Sequence, residues 1–151
     1  MGAPIVDTHC HLTDGAFSAD LDSVLERCWD AGLGLVVVIG HSRPDAEKAL
    51  ELARRDRRIF ATAGIHPHDG SGWTADAASW LAGFLTDPRV VAAGETGLDY
   101  HYDHAPRDTQ EAVFRAHIAA SQASGLPLII HAREADDDVA RMLREEAPPP
   151  G

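Results

Sequence analysis

Basic residues are scarce in this chain, with 13 lysines and arginines against 24 aspartates and glutamates, a formal net charge of -11. That excludes a broad electrostatic grip on nucleic acid, which needs a basic stripe. It does not exclude local phosphate chemistry, because bound divalent cations supply positive charge that side chains lack. No apolar run approaches the length of a membrane span, so no membrane partner is expected. The N-terminus has no basic start followed by an apolar stretch, and a secretory signal is not expected. The two cysteines, Cys10 and Cys28, form no CxxC pair. They make no disulfide framework and read as reduced thiols of a cytoplasmic protein. With 151 residues, 44% hydrophobic and 25% charged, the composition is that of one globular domain over residues 1–151.

Short apolar runs alternate with longer amphipathic segments. Ile5-Val6 opens a strand that ends in Asp7-Thr8-His9-Cys10-His11. Ser18 is read as the N-cap of a helix carrying Leu21, Val24, Leu25 and Cys28, which stops at Gly32. Leu35 to Ile39 is an uninterrupted apolar run that suits a strand buried on both faces. Ser42 and Pro44 start a helix through Ala53. A third strand, Ile59 to Ala63, leads into Gly64-Ile65-His66-Pro67-His68. Thr74 to Leu85 is a third helix, Val90 to Gly94 a fourth strand ending at Glu95, and Asp108 to Ser124 a fourth helix stopped by Gly125. Leu128 to Ile130 is a fifth strand ending at His131. Glu134 to Glu146 is a last helix, and Pro148 to Gly151 a frayed tail. Five βα units with connections too long for hairpins predict an α/β fold with a parallel sheet and outer helices. The first turn lacks the GxGxxG of a dinucleotide-binding sheet. A partial TIM-type (β/α) barrel, about five of eight βα units, fits better than an open doubly wound sheet.

The chain has nine histidines. Two residues apart on a strand, His9 and His11 point the same way and can share one metal. They are otherwise a polar pair leaving a strand. Asp7 is the natural partner for a ligating imidazole. A carboxylate at Glu95 can bridge two cations, or simply cap the strand. His131 is a ligand or a satisfied polar residue. These four fall at strand ends, which share one face of a parallel barrel. Chance placement of four metal-compatible residues there is improbable. His66 and His68 are interrupted by Pro67, which breaks strand alternation. They read as substrate or proton-transfer groups rather than metal ligands, or as a rigid polar loop. Arg133 is a candidate phosphate fork, with a surface ion pair as the alternative. His101 and His104 sit in a polar loop with Asp99, Tyr100, Tyr102 and Asp103, which surface-loop composition explains as well as function does. Trp29, Trp73 and Trp80 read as packing residues.

Several segments resemble the TatD family of metal-dependent hydrolases, within the amidohydrolase-like barrels. They are Ile5-Val6-Asp7-Thr8-His9-Cys10-His11-Leu12, Gly64-Ile65-His66-Pro67-His68, Gly94-Glu95-Thr96-Gly97-Leu98-Asp99-Tyr100 and Pro127-Leu128-Ile129-Ile130-His131-Ala132-Arg133-Glu134-Ala135-Asp136-Asp137. Gln110, Phe114 and His117 fit the intervening helix. The first segment departs from the family pattern at Thr13, where Asp or Asn is usual; here Asp14 follows one place later. The resemblance implies two divalent metal ions (Mg, Mn or Zn), with His9, His11 and Glu95 at one and Glu95 and His131 at the other. It makes Glu95 the bridging catalytic group. It implies hydrolysis of phosphodiesters, 3′-end DNA trimming, by metal-activated water. Family members run to nearly twice this length, and their sixth and eighth strands supply a further histidine and aspartate.

Two other expectations stand beside the nuclease. One is a catalytically incomplete remnant that binds metal without turnover. The other is an ester, lactone or amide hydrolase of the same barrel type. Unpaired barrel edges also predict self-association.

Overall fold

The alternation of apolar and amphipathic segments becomes five βα units in the computed structural model, which describes residues 5–147. The strands are β1 (Ile5–Cys10), β2 (Leu33–Val38), β3 (Ile59–Ala63), β4 (Val90–Asp99) and β5 (Leu128–Arg133). The helices are α1 (Leu21–Asp30), α2 (Arg43–Arg55), α3 (Ala75–Phe84), α4 (Arg107–Ser124) and α5 (Asp136–Glu145). All strand pairs are parallel, in the order β1-β2-β3-β4-β5. The result is a curled half-barrel with helices between the strands, as the βα pattern predicts. The expected tail at Pro148 to Gly151 lies outside the described residues.

The main core lies between the sheet and its helices. Val36, Val38, Ala61 and Ala63 of the strands meet Ala46, Ala49, Leu50 and Ala53 of α2 there. Small residues on both sides let helix and sheet approach closely. A second cluster, Leu98, Phe114, Ile118, Val139 and Met142, joins β4 to α4 and α5. At β1, Ile5 and Val6 are 60% and 49% exposed, so the sheet's first edge carries uncovered apolar surface.

Helix ends follow local chemistry. Ser42 Oγ accepts from Asp45 N at the start of α2, and Thr74 Oγ1 from Ala77 N at the start of α3. Gly125 ends α4 with φ of 71°, the left-handed stop that glycine permits. Ser18 is not the cap of α1. It closes a 3-10 turn over Gly15–Phe17, its Oγ donating to Gly15 O, while Asp20 occupies the cap position. Asp14 supplies the local competitor, accepting from Ala16 N at 2.7 Å.

The larger departure is β4. It runs ten residues and ends at Asp99, so Glu95 lies within the strand. Its pairing with β5 slips between Ala93 and Thr96, a bulge of the kind that re-aims a side chain. Gly94 and Gly97 have φ of 129° and 140°. A Cβ on either would collide with a β5 carbonyl, that of Ile129 or His131.

His117 of α4 is fully buried. Its Nδ1 donates to Val113 O at 2.8 Å and its Nε2 accepts from Ile65 N at 3.1 Å, pinning the loop after β3 to the helix. Trp73 packs on this imidazole at 5.1 Å. Burial pushes His117 down to about 4, against the hydrogen bond to Val113. The unfolded chain therefore binds a proton between the ordinary histidine value and 4 that the folded chain refuses, and stability falls as pH drops through that window. The shift corresponds to about 3 kcal/mol at full development. Denaturant melts from pH 7 to pH 4 should show this loss, and His117→Gln should flatten it. An equally steep pH dependence in the variant would remove His117 as its source.

Candidate metal centre

The strand C-termini gather imidazoles and carboxylates at one end of the half-barrel. His11, His41, His66, His68, Asp69, Glu95 and His131 line a cavity of about 480 Å³. His9 and His11 rings are 5.1 Å apart, and His9 Nε2 lies 3.6 Å from Glu95 Oε2. The other oxygen, Glu95 Oε1, lies 3.3 Å from His131 Nδ1. Glu95 is buried and sits between two histidine groups, one at each oxygen.

Two trios have ligand atoms within 4.8 Å of one another: His9, His11 and Glu95, and His66, Glu95 and His131. Two ligands each about 2.1 Å from a tetrahedral ion lie about 3.4 Å apart. The separations to Glu95 match that spacing, and nitrogen with carboxylate oxygen suits Zn²⁺ or Mn²⁺. The donor set fits a divalent cation at the first trio, and in the second Glu95 and His131 offer ligand atoms to another.

Asp99 orients the second trio. Its Oδ2 takes His131 Nε2 at 3.0 Å and His68 Nε2 at 2.8 Å, and its Oδ1 accepts from the amides of His101 and Tyr102. Burial would raise this carboxyl, but the Tyr102 amide and the two imidazoles outweigh it and hold it well below the usual range. A charged Asp99 places the His131 proton on Nε2 and leaves Nδ1 as a lone pair facing Glu95, the carboxylate–histidine arrangement of metal sites. Gln110, also fully buried, clamps the Asp99 backbone from α4, accepting from Asp99 N and donating to Asp99 O and Ala105 O. Surface-loop composition was misleading for Asp99. The strand continues through its bulge, so the exposed loop begins only beyond Asp99.

His66 has a different tautomer. It caps the 3-10 turn Pro67–Gly72, its Nδ1 accepting from His68 N at 3.2 Å. Its proton therefore sits on Nε2, 3.1 Å from His131 Nδ1, to which it donates. Burial, and then the neighbouring His131, His68 and His41, push His66 down to about 3, so it stays neutral. His66 offers the cavity a donor where a metal would need a lone pair.

Other sequence expectations meet the structure unevenly. Asp7 bonds the backbone amide of His9, not an imidazole. Arg133 stands outside the cavity with its guanidinium 4.7 Å over the Tyr102 ring. Cys10, between the two histidines, donates its thiol to Val37 O, and burial, with Asp7, pushes it up to about 12. It remains a thiol. His41 was overlooked. It follows the apolar run of β2 at the same strand end, its Nδ1 2.5 Å from Asp45 Oδ2 and its ring 5.8 Å from that of His11.

A parallel half-barrel with imidazoles and a shared carboxylate at its strand C-termini defines the class of metal-dependent hydrolase barrels. The comparisons narrow it. The family model described as TatD related DNase matches residues 6–151, and the chain belongs to that family. It is 39% identical over 142 residues to an uncharacterized metal-dependent hydrolase, YabD, of Bacillus subtilis, covering 94% of this chain and 56% of that protein. It is 37% identical over 137 residues to a 3′-5′ ssDNA/RNA exonuclease, TatD, of Enterobacter lignolyticus, covering 91% and 53%. The crystal structure of YJJV, a TatD homologue from Escherichia coli K12, superposes with a TM-score of 0.87 at 29% identity, covering 93% of this chain and 55% of that one. The chain thus spans about half the length of the curated relatives it matches.

Replacing Asp99 with Asn should lower divalent-cation affinity by about 10- to 100-fold. Calorimetric titration with Zn²⁺ reads this directly. Unchanged affinity would show that Asp99 orients no ligand.

Proposed function

We propose that this chain carries the metal centre of a phosphodiesterase that trims DNA from its 3′ end. His9, His11 and Glu95 would hold one divalent cation, and Glu95 and His131 a second. The observation that supports this most is the placement of Glu95, with one oxygen beside His9 and the other beside His131. Cations held there would supply Lewis acidity toward phosphoryl oxygens and ionise water near neutral pH. Glu95, as the shared ligand, is the catalytic group.

The remaining residues bind and orient. His66, neutral with its proton on Nε2, donates to a phosphoryl oxygen once His131 Nδ1 is occupied. His68, bonded to Asp99, lines the approach to the same cavity. Arg133 provides a guanidinium fork for a phosphate further along the strand. The nuclease relative supports nucleic acid as substrate. Free Cys10 and Cys28 support a reducing compartment, the cytoplasm. Among the described residues no helix is long and apolar enough to cross a membrane.

A 3′-labelled single-stranded oligonucleotide with Mg²⁺ or Mn²⁺ tests the activity. Cleavage should fall by at least about 100-fold in Glu95→Gln and His9→Ala, the scale of losing electrostatic stabilisation of the reacting centre. Cleavage that survives both substitutions would come from another protein. Stoichiometric cation binding with no cleavage would replace the enzyme by a metal-binding remnant.

The exposed edge at Ile5 and Val6 supports self-association through β1 and β5. Analytical ultracentrifugation should show a dimer or larger species at micromolar concentration. A monodisperse monomer would exclude it.

A further inference from the structure

An exposed aromatic and cationic patch adjoins the metal centre, on the loop between β4 and α4. Tyr102 is half exposed. Its ring lies parallel to that of His104, 5.6 Å away, and under the Arg133 guanidinium at 4.7 Å. His68 joins the patch to the cavity. Its ring is 4.6 Å from His104 and 5.6 Å from Tyr102, and it also lines the cavity beside Glu95 and His131.

This loop is held at both ends. The amides of His101 and Tyr102 donate to buried Asp99, and Gln110 donates to the carbonyl of buried Ala105. The ring is therefore presented to solvent by a fixed backbone, although an apolar cluster of Leu98, Phe114 and Ile118 lies in the same unit. Arg133 is not spent on a carboxylate, a condition it shares among the described residues with Arg57, Arg89 and Arg144. Most arginines here are spent on carboxylates, as with Arg43, Arg55, Arg107, Arg115 and Arg141. Among the described residues none pairs with Arg133, and the adjacent Glu134 bonds His101 instead. In a chain of net charge -11, an uncommitted guanidinium on an aromatic ring beside the metal centre points to an anionic, aromatic ligand.

We propose that Tyr102, His104 and Arg133 form a nucleotide subsite for single-stranded nucleic acid. The aromatic and imidazole rings take an unpaired base by stacking, and Arg133 takes the phosphate attached to it. Stacking needs a base whose face is free, which a duplex interior does not offer. The subsite rests on the nucleic-acid reading above and extends it: it names which residues hold the substrate and why the strand must be single. A fixed ring loses little entropy on binding, so the subsite is preorganised.

The test is fluorescence anisotropy with a labelled single-stranded oligonucleotide, phosphorothioate-linked at its 3′ end to slow cleavage, in Ca²⁺ at fixed salt. A second probe of equal length carries abasic sugars in its last three positions. The protein should bind the intact probe about tenfold or more tighter than the abasic one. Tyr102→Ala should abolish that preference and Tyr102→Trp should keep it, while Arg133→Gln should weaken both probes alike. Tyr102 is exposed, and circular dichroism checks that each variant is folded. No preference in the starting protein, or a Tyr102→Ala effect equal on both probes, overturns the subsite. A preference without any cleavage of an unmodified strand keeps the subsite and removes the hydrolase. Cleavage without a preference removes the subsite alone.

Discussion

A carboxylate taken out of water must be surrounded by donors, and Asp99 is surrounded by four: the amides of His101 and Tyr102 and the imidazoles of His68 and His131. Its own backbone is clamped by Gln110. The penalty for burying a charge is met only if all these groups hold their positions together. That requirement couples the end of β4, the start of the loop beyond it, the loop after β3 and the tip of β5. It also decides a chemical question, which nitrogen of His131 is free. The metal centre and the Tyr102 patch are organised by one buried charge between them.

The glycines of β4 make this possible. Glu95 and Asp99 both lie on the strand, which bulges between Ala93 and Thr96 beside Glu95 and then pairs regularly with β5 as far as Asp99. The bulge brings the backbone against Ile129 and His131 so closely that no side chain fits at Gly94 or Gly97. A separation of four residues keeps two side chains on one face of a strand, so alternation itself suits both carboxylates to the same sheet face. His117 plays the matching part on the other side, holding the backbone of Ile65 so that His66 enters the cavity with a defined tautomer.

Much of this was legible in the sequence. Apolar runs separated by amphipathic segments prescribe parallel βα units, because both faces of each strand must be covered. His9, His11 and Glu95 announced themselves as metal-compatible residues at strand ends, and the structure brings them together with His131. Ser18 misled because a serine ahead of a helix caps it only if the backbone is extended there, and Asp14 had already started a 3-10 turn. Asp99 misled because its neighbours are loop-like in composition and the strand's bulge has no signature beyond two glycines. His41 was overlooked although it lies just beyond β2, at the same end of the sheet as the other histidines of the cavity.

The sequence by itself determined the order of elements, the class of fold and the kinds of atoms available for chemistry, since these follow from periodicity and from residue type. Only the tertiary structure decided which nitrogen each imidazole offers. Tautomers are set by hydrogen-bond partners: Asp99 for His131, across 32 residues, and the local amide of His68 for His66. It also decided that Arg133 lies on Tyr102 rather than in the cavity. Those partnerships arise where five strand ends converge, and no pattern within a single strand records them.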